Sequence, residues 1–266
     1  MSALNKFLEY ETKNYFILKL QKKISRKLKI YFIPTNYNKL PNNSYQAESD
    51  INYQNYLIEK FQKEKKINSF NTFPKIVNLL DEIPINREKN FNFLDFGGEN
   101  IDFYLDLNKN FRNLNYFVIN QNKINDNLIA LKDKYNFKNM LVLRNFEEVK
   151  KNTYDFVNFG STIQYIDNYY DILRMTIKLS KKFIFFSGTH FYSQNNGIKA
   201  TIVLKQINLL PRKFYCYFFN YKEFLRIFEK NKYSLVFKRL NKSDTIKYGN
   251  LENIQNVEYS DLLLSK

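Results

Sequence analysis

The sequence predicts an α/β fold: a doubly wound sheet of seven mostly parallel strands, preceded by an N-terminal helical extension. Three observations carry this expectation. After Asn90, apolar runs of strand length alternate with amphipathic stretches of helical period, the pattern of parallel strands joined by crossover helices. The first of these runs ends in Asp95-Phe96-Gly97-Gly98, placing a glycine pair between strand and helix. The fourth, Tyr154–Phe159, gives way to the small residues Gly160, Ser161 and Thr162.

Residues 1–90 read as a basic helical arm and cap, and residues 91–266 as the sheet domain. In the arm, Phe16, Leu20, Ile24 and Leu28 recur at helical spacing. A polar break at Pro41-Asn42-Asn43 precedes a helix over Tyr45–Lys66, with Tyr53, Tyr56, Leu57 and Phe61 on one side. A short helix over Lys75–Glu82 stops before Pro84. Phe91–Phe96 is then the first strand and Asn100–Leu107 its helix. Tyr116–Ile119 and Met140–Leu143 are strands two and three, separated by the helix Ile124–Tyr135. A short polar crossover, Glu147–Lys151, leads to strand four. The helix Tyr169–Leu179 precedes strand five, Phe183–Phe186. Asn220, with Glu223 three residues on, forms a capping box that opens the helix Tyr221–Lys230. Ser234–Arg239 and Tyr259–Leu264 close the sheet. The long connection Thr189–Asn220, with a turn at Asn195-Asn196-Gly197, reads as an acceptor-binding insertion. Its aromatic run Phe214–Phe219 is either a sugar-stacking platform or, the preferred reading, a buried strand.

Bulk composition narrows the function classes. With 44% hydrophobic residues, 26 of them Phe and 21 Tyr, the chain has ample material for a packed core, so global disorder is not expected. No run of about 18 apolar residues occurs, so no transmembrane helix is read. The first 22 residues carry no uninterrupted apolar segment with a cleavage site, so no secretory signal is read. The single cysteine, Cys216, excludes an internal disulfide and a cysteine zinc site, and fits a reducing, cytoplasmic compartment. It sits in the aromatic run and reads as a buried thiol. The net charge of +16 is spread through an Asn- and Lys-rich chain, so no nucleic-acid partner is inferred from it. One local concentration stands out: Lys19, Lys22, Lys23, Arg26, Lys27 and Lys29, with no acid among them. This basic helix reads as packed on the domain with a solvated lysine face. Peripheral contact with an anionic membrane is the sharper alternative.

In a doubly wound sheet the ligand belongs at the carboxyl ends of the strands. Glycines there let a backbone approach a ligand, and the following helix offers free N–H groups. Two stretches, Leu94-Asp95-Phe96-Gly97-Gly98 and Tyr154 to Leu173 with Ile163-Gln164-Tyr165, together resemble the class I S-adenosylmethionine-dependent methyltransferases. More narrowly, the chain resembles a family of methyltransferases from bacterial surface-polysaccharide biosynthesis clusters. In that family the first strand reads Leu-Asp-Phe-Gly-Gly-Gly, and a Tyr-Pro-X-X-hydrophobic-Phe-Asn segment is matched in part by Phe214 to Asn220. A Gly-Tyr-X-Leu-Val strand becomes Lys232-Tyr233-Ser234-Leu235-Val236, and the family's N-terminal helix is echoed by Ser44-Tyr45-Gln46-Ala47-Glu48. Two departures are evident: Glu99 replaces the third glycine and Ile101 the next, and Asn120 stands where an acid accepts the ribose hydroxyls.

The resemblance implies a Rossmann-like methyltransferase fold with S-adenosyl-L-methionine as cofactor and a saccharide or saccharide precursor as acceptor. It places Asp95, Gly97 and Gly98 at the methionine end, Asn120 at the ribose, Asn145 at the adenine edge, and Gly160 and Ser161 beneath the methyl donor. His190, the only histidine, is the candidate general base near a strand's carboxyl end, with Tyr165 and Asp167 as alternatives. No metal is expected. A methyltransferase-like module that scaffolds glycan assembly without catalysis is the rival reading. A nicotinamide oxidoreductase is disfavoured because a full Gly-X-Gly-X-X-Gly is absent. A nucleic-acid methyltransferase is disfavoured because no Asn/Asp-Pro-Pro-aromatic segment follows strand four.

Overall fold

The structure is a computed structural model that describes residues 3–10, 12–28, 30–41, 51–64, 79–80, 82–99, 101–193, 200–207, 214–240 and 255–266. In chain order the elements are α1 (Ala3–Glu9), α2 (Tyr15–Leu28), β1 (Phe32–Pro34), α3 (Ile51–Glu64), β2 (Phe91–Phe96), α4 (Ile101–Asn110), β3 (Leu114–Ile119), α5 (Asn122–Tyr135), β4 (Met140–Leu143), α6 (Phe146–Val149), β5 (Tyr154–Gly160), a single 3-10 turn (Ile163–Tyr165), α7 (Tyr169–Leu179), β6 (Ser180–Ser193), β7 (Thr201–Gln206), β8 (Phe214–Asn220), α8 (Tyr221–Glu229), β9 (Ser234–Leu240) and β10 (Gln255–Ser265). The expected turn at Asn195-Asn196-Gly197, the Ser44–Glu48 echo and most of the Lys75–Glu82 helix lie outside the described residues.

Residue contacts divide the chain into two compact units. The first comprises Gln46–Gly160 and Arg174–Phe185. Here β5, β2, β3 and β4 lie side by side in that order, all parallel. Both faces of these strands are covered, so β2 reads as an almost continuous apolar run rather than an alternating one. Phe93 of β2 stacks between Tyr116 of β3 (5.7 Å, 5°) and Phe156 of β5 (5.2 Å, 9°), an aromatic ladder across three strands. From α4, Phe103 meets Phe93 edge-on at 5.3 Å, and Tyr104 meets Tyr116 at 5.3 Å. Phe91 stacks on Phe111 just past that helix. Burial pushes the Tyr104 phenol up to about 12, so it acts as a neutral donor, to Asn139 Oδ1.

The second unit comprises Met1–Tyr45, Ser161–Leu173 and Phe186–Lys266; β6 runs from one unit into the other. In this unit β7 lies antiparallel between β1 and β8, β8 is parallel to β6, and β10 pairs with β6 and antiparallel with β9. Asn220 caps α8 by accepting the Glu223 N–H at 3.2 Å. The reciprocal half of the expected capping box is replaced: the Glu223 carboxylate pairs with Arg226 at 2.7 Å.

All seven expected strands are present, with β6 longer than foreseen and β1 and β7 added, and the preferred reading of the aromatic run as a strand holds in β8. The expected connection Thr189–Asn220 is therefore corrected. Its described residues are largely strand, and the aromatic run is the buried strand β8, with Phe214, Cys216, Tyr217, Phe218 and Phe219 all inside. Apolar residues on both faces of this strand are enclosed by the sheet's neighbours, and only Tyr215 is half-buried, edge-on to Tyr37 at 5.3 Å. His190 accordingly lies within β6 rather than beyond a strand's end.

Candidate functional site

The register of the parallel strands aligns their carboxyl ends. Phe96 is level with Ile119 and with Phe159, and Ile119 is level with Leu143. The next residues, Gly97, Asn120, Arg144 and Gly160, therefore form one row along the carboxyl edge.

Gly97 has a φ of +75°, a left-handed conformation that glycine adopts without strain, and its N–H donates to Ile119 O at 2.8 Å. Gly98 presses on Asp95: a side-chain carbon built there would stand 2.7 Å from Asp95 Cγ and 3.0 Å from Val118 Cγ2. The Asp95 carboxylate is buried and bonded on both oxygens, accepting from Tyr116 Oη at 2.5 Å and Asn158 Nδ2 at 2.8 Å. It forms the floor of the glycine loop rather than an exposed ligand group.

Asn120 straps the loop from the neighbouring strand. Its Nδ2 donates to Gly98 O at 3.0 Å, and its Oδ1 accepts from Gln121 N at 2.7 Å. A carboxylate at this position would be unable to donate to the Gly98 carbonyl. Asn145 is exposed and caps the one-turn helix α6, accepting from Glu148 N at 3.0 Å. Phe146, which follows it, is 38% exposed and leans on Phe96 at 6.3 Å.

Two supports of this row escaped the sequence reading. Asn125, fully buried in α5, donates to Asn120 O (2.9 Å) and Leu143 O (3.0 Å) and accepts from Asn120 N (3.0 Å), tying the ends of β3 and β4 together. Gln54 of α3, also buried, accepts the Ile101 N–H at 2.9 Å and so caps α4 from outside. No local sequence pattern sets either apart from an ordinary helix residue.

In the other unit, Ser161 adopts a left-handed φ of +53° and donates its N–H to Ser187 O at 2.9 Å. Its Oγ lies 3.5 Å from Tyr259 Oη. Gly188, at φ +55°, has no room for a side chain: a Cβ there would fall 2.5 Å from Tyr259 Oη. Asp261 accepts the Gly188 N–H at 2.8 Å, and Gln164 Nε2 donates to Gly188 O at 3.1 Å. Tyr165 donates to Gln206 Oε1 at 2.8 Å and packs edge-on to Phe214. Asp167 receives the Tyr217 hydroxyl at 3.4 Å.

His190 is boxed by rings: stacked on Phe218 (4.6 Å, 7°), edge-on to Phe32 (5.0 Å), and tilted on Tyr259 (4.7 Å). Burial lowers its pKa to about 3, and its Nδ1 has no hydrogen-bond partner among the described residues. An imidazole in this setting stays neutral near pH 7 and is a weak proton acceptor. Cys216 is buried in the same cluster as Phe218 and Phe32, and burial pushes its thiol up. Among the described residues, no group of His, Cys, Asp or Glu is placed to hold a metal ion, and no helix is long and apolar enough to cross a membrane.

The fold these elements build is that of the class I methyltransferases. The chain matches the N-terminal domain of EvdMO1, solved with S-adenosylhomocysteine bound, at a TM-score of 0.52 and 10% identity, over 93% of this chain and 95% of that one. It matches coclaurine N-methyltransferase, solved with N-methylheliamine and S-adenosylhomocysteine, at 0.52 and 12% identity, over 98% of this chain and 92% of that one. No protein-family model and no curated protein matches the sequence.

Proposed function

We propose that the chain is an S-adenosylmethionine-dependent methyltransferase acting on a saccharide or saccharide precursor. The observation that supports it best is the loop Asp95 to Gly98. It combines a left-handed Gly97, a Gly98 pressed on a buried carboxylate, and a strap from Asn120, at the carboxyl edge of a parallel sheet whose fold is shared with methyltransferases. These residues fit a bound nucleoside amino acid. Gly97 and Gly98 offer backbone without side chains, Asn120 retains a second N–H and a second lone pair for ribose hydroxyls, and Phe146 presents an apolar face for a heteroaromatic base. The bound cofactor supplies a methyl group on a cationic sulfonium.

This chain's own share of the reaction is alignment and exclusion of water, which contributes on the order of 7–11 kcal/mol in well-oriented systems. His190, neutral and ringed by Phe218, Phe32 and Tyr259, is better suited to shaping an apolar wall than to removing a proton. Tyr165 donates its hydroxyl to Gln206 Oε1 and so holds its ring in place. The saccharide acceptor rests on the motif resemblance alone.

The rival scaffold reading draws on one observation: the Asn120 amide is spent partly on Gly98 and Gln121, where an acid would face the ribose. Calorimetric titration with S-adenosylhomocysteine separates the two. Binding in the micromolar range supports the transferase; a folded protein that gives no heat at millimolar ligand refutes it. Transfer of labelled methyl groups to a panel of nucleotide sugars then tests the acceptor class.

A further inference from the structure

The basic helix α2 is oriented against the expectation that its apolar stripe packs on the domain. Asn14 caps it, accepting from Phe16 N at 3.0 Å. The residues it buries are polar: Gln21, fully inside, donates to Phe7 O (2.7 Å) and Tyr10 O (2.9 Å), and Ser25 donates to Ile30 O (2.6 Å). These bonds dock α2 against α1 and the stretch leading into β1, with Ile24 reaching the small core of Leu8, Ile30, Ile33 and Ile207. At about 100° per residue, this choice of inner arc turns Phe16 and Leu20 outward, whereas Leu28 shares the arc of Gln21 and is exposed as the helix's last residue. Phe16 is 79% exposed, Leu20 48% and Leu28 49%, with Tyr15 beside Phe16 also outside. Lys19, Lys22, Lys23, Arg26 and Lys27 are all exposed on the adjoining arc.

We infer that α2 is a docking face for an anionic lipid bilayer, lying in the plane of the membrane with Phe16 and Leu20 inserted among the acyl chains. A surface that joins exposed aromatic and leucine side chains to an acid-free row of cations matches the interface of such a bilayer in both respects. The other occupants fit one half only. A nucleic acid would neutralise the lysines but has no use for the apolar ridge. A second copy of the chain would cover the ridge but bring like charges together. The inference is independent of the methyltransferase reading, because none of these residues belongs to the proposed cofactor loop.

The test is co-sedimentation of the full chain with phosphatidylcholine vesicles, with and without phosphatidylserine. Binding is expected only to the anionic vesicles, weakening as salt rises. The double variant Phe16→Ser/Leu20→Ser should bind on the order of a hundredfold more weakly, because two inserted apolar side chains are lost. The variant Lys19→Glu/Lys23→Glu/Arg26→Glu should not bind detectably. Both alter exposed positions, and unchanged thermal melts would show that the fold is intact. Equal binding to neutral vesicles, no binding to either kind, or anionic binding that survives Phe16→Ser/Leu20→Ser overturns the inference. So does self-association, or retention on DNA, that is abolished by these variants while vesicles are ignored.

Discussion

Replacing Gly98 by alanine tests how tightly the cofactor loop is built. The added carbon would fall 2.7 Å from Asp95 Cγ and 3.0 Å from Val118 Cγ2, and closer still to Asp95 Oδ2. A carboxylate oxygen at the free end of a side chain usually moves aside at little cost. Here the carboxylate is pinned on both oxygens, by Tyr116 Oη on Oδ2 at 2.5 Å and Asn158 Nδ2 on Oδ1 at 2.8 Å, in a site only 3% exposed. Either the loop backs away or one of these bonds breaks. Overpacking costs about 1–3 kcal/mol and a buried hydrogen bond to a charged group about 1.5–3 kcal/mol. Since relaxation avoids paying both in full, we expect Gly98→Ala to destabilise the chain by about 2–4 kcal/mol. We also expect S-adenosylhomocysteine to bind at least about tenfold more weakly, because a 1.4 kcal/mol displacement of the loop suffices for that factor. Urea denaturation and calorimetry read the two effects. A variant with a loss under about 0.5 kcal/mol and unchanged affinity would refute the claim that Asp95 is a rigid floor.

Four further outcomes follow from the same geometry. Asn120→Asp removes the donor to Gly98 O and sets a carboxylate against a carbonyl; a loss of about 1–3 kcal/mol is expected in denaturant titration. The His190 pKa is lower in the fold than its ordinary 6.5, so its stabilising share is complete above pH 6.5 and lost as pH falls toward about 3. Stability should drop by on the order of 1.4 kcal/mol per pH unit within that window, and His190→Phe should flatten the slope while leaving S-adenosylhomocysteine binding unchanged. Asn220→Ala should cost about 1 kcal/mol through the lost α8 cap, read from the denaturation midpoint. Cys216 should resist a thiol reagent in the native protein and react once it is denatured, since burial holds it protonated.

What the sequence disclosed and what it hid divide along one physical line. Strands β2 to β5 and their helices were readable because apolar runs and helical stripes are local patterns, and the Asp95-Gly97-Gly98 loop because glycine pairs punctuate them. The supports of that loop were not readable. Asn125 and Gln54 look like ordinary helix residues until the carbonyls of Asn120 and Leu143, or the Ile101 N–H, are brought to them by the fold. Tyr259 comes within 3.5 Å of Ser161 from 98 residues away. Helical period revealed that α2 is amphipathic. Which arc faces inward was set by Phe7, Tyr10 and Ile30 carbonyls that claim Gln21 and Ser25, and no count of apolar residues contains that information.

The sharpest check is a crystal structure of the chain grown with S-adenosylhomocysteine. The adenosyl amino acid should lie along the carboxyl edge of β2 and β3, with its backbone contacts at Gly97 and Gly98 and its ribose at Asn120. Density for the ligand elsewhere, or a loop closed by Glu99 with the ligand excluded at saturating concentration, would contradict the assignment.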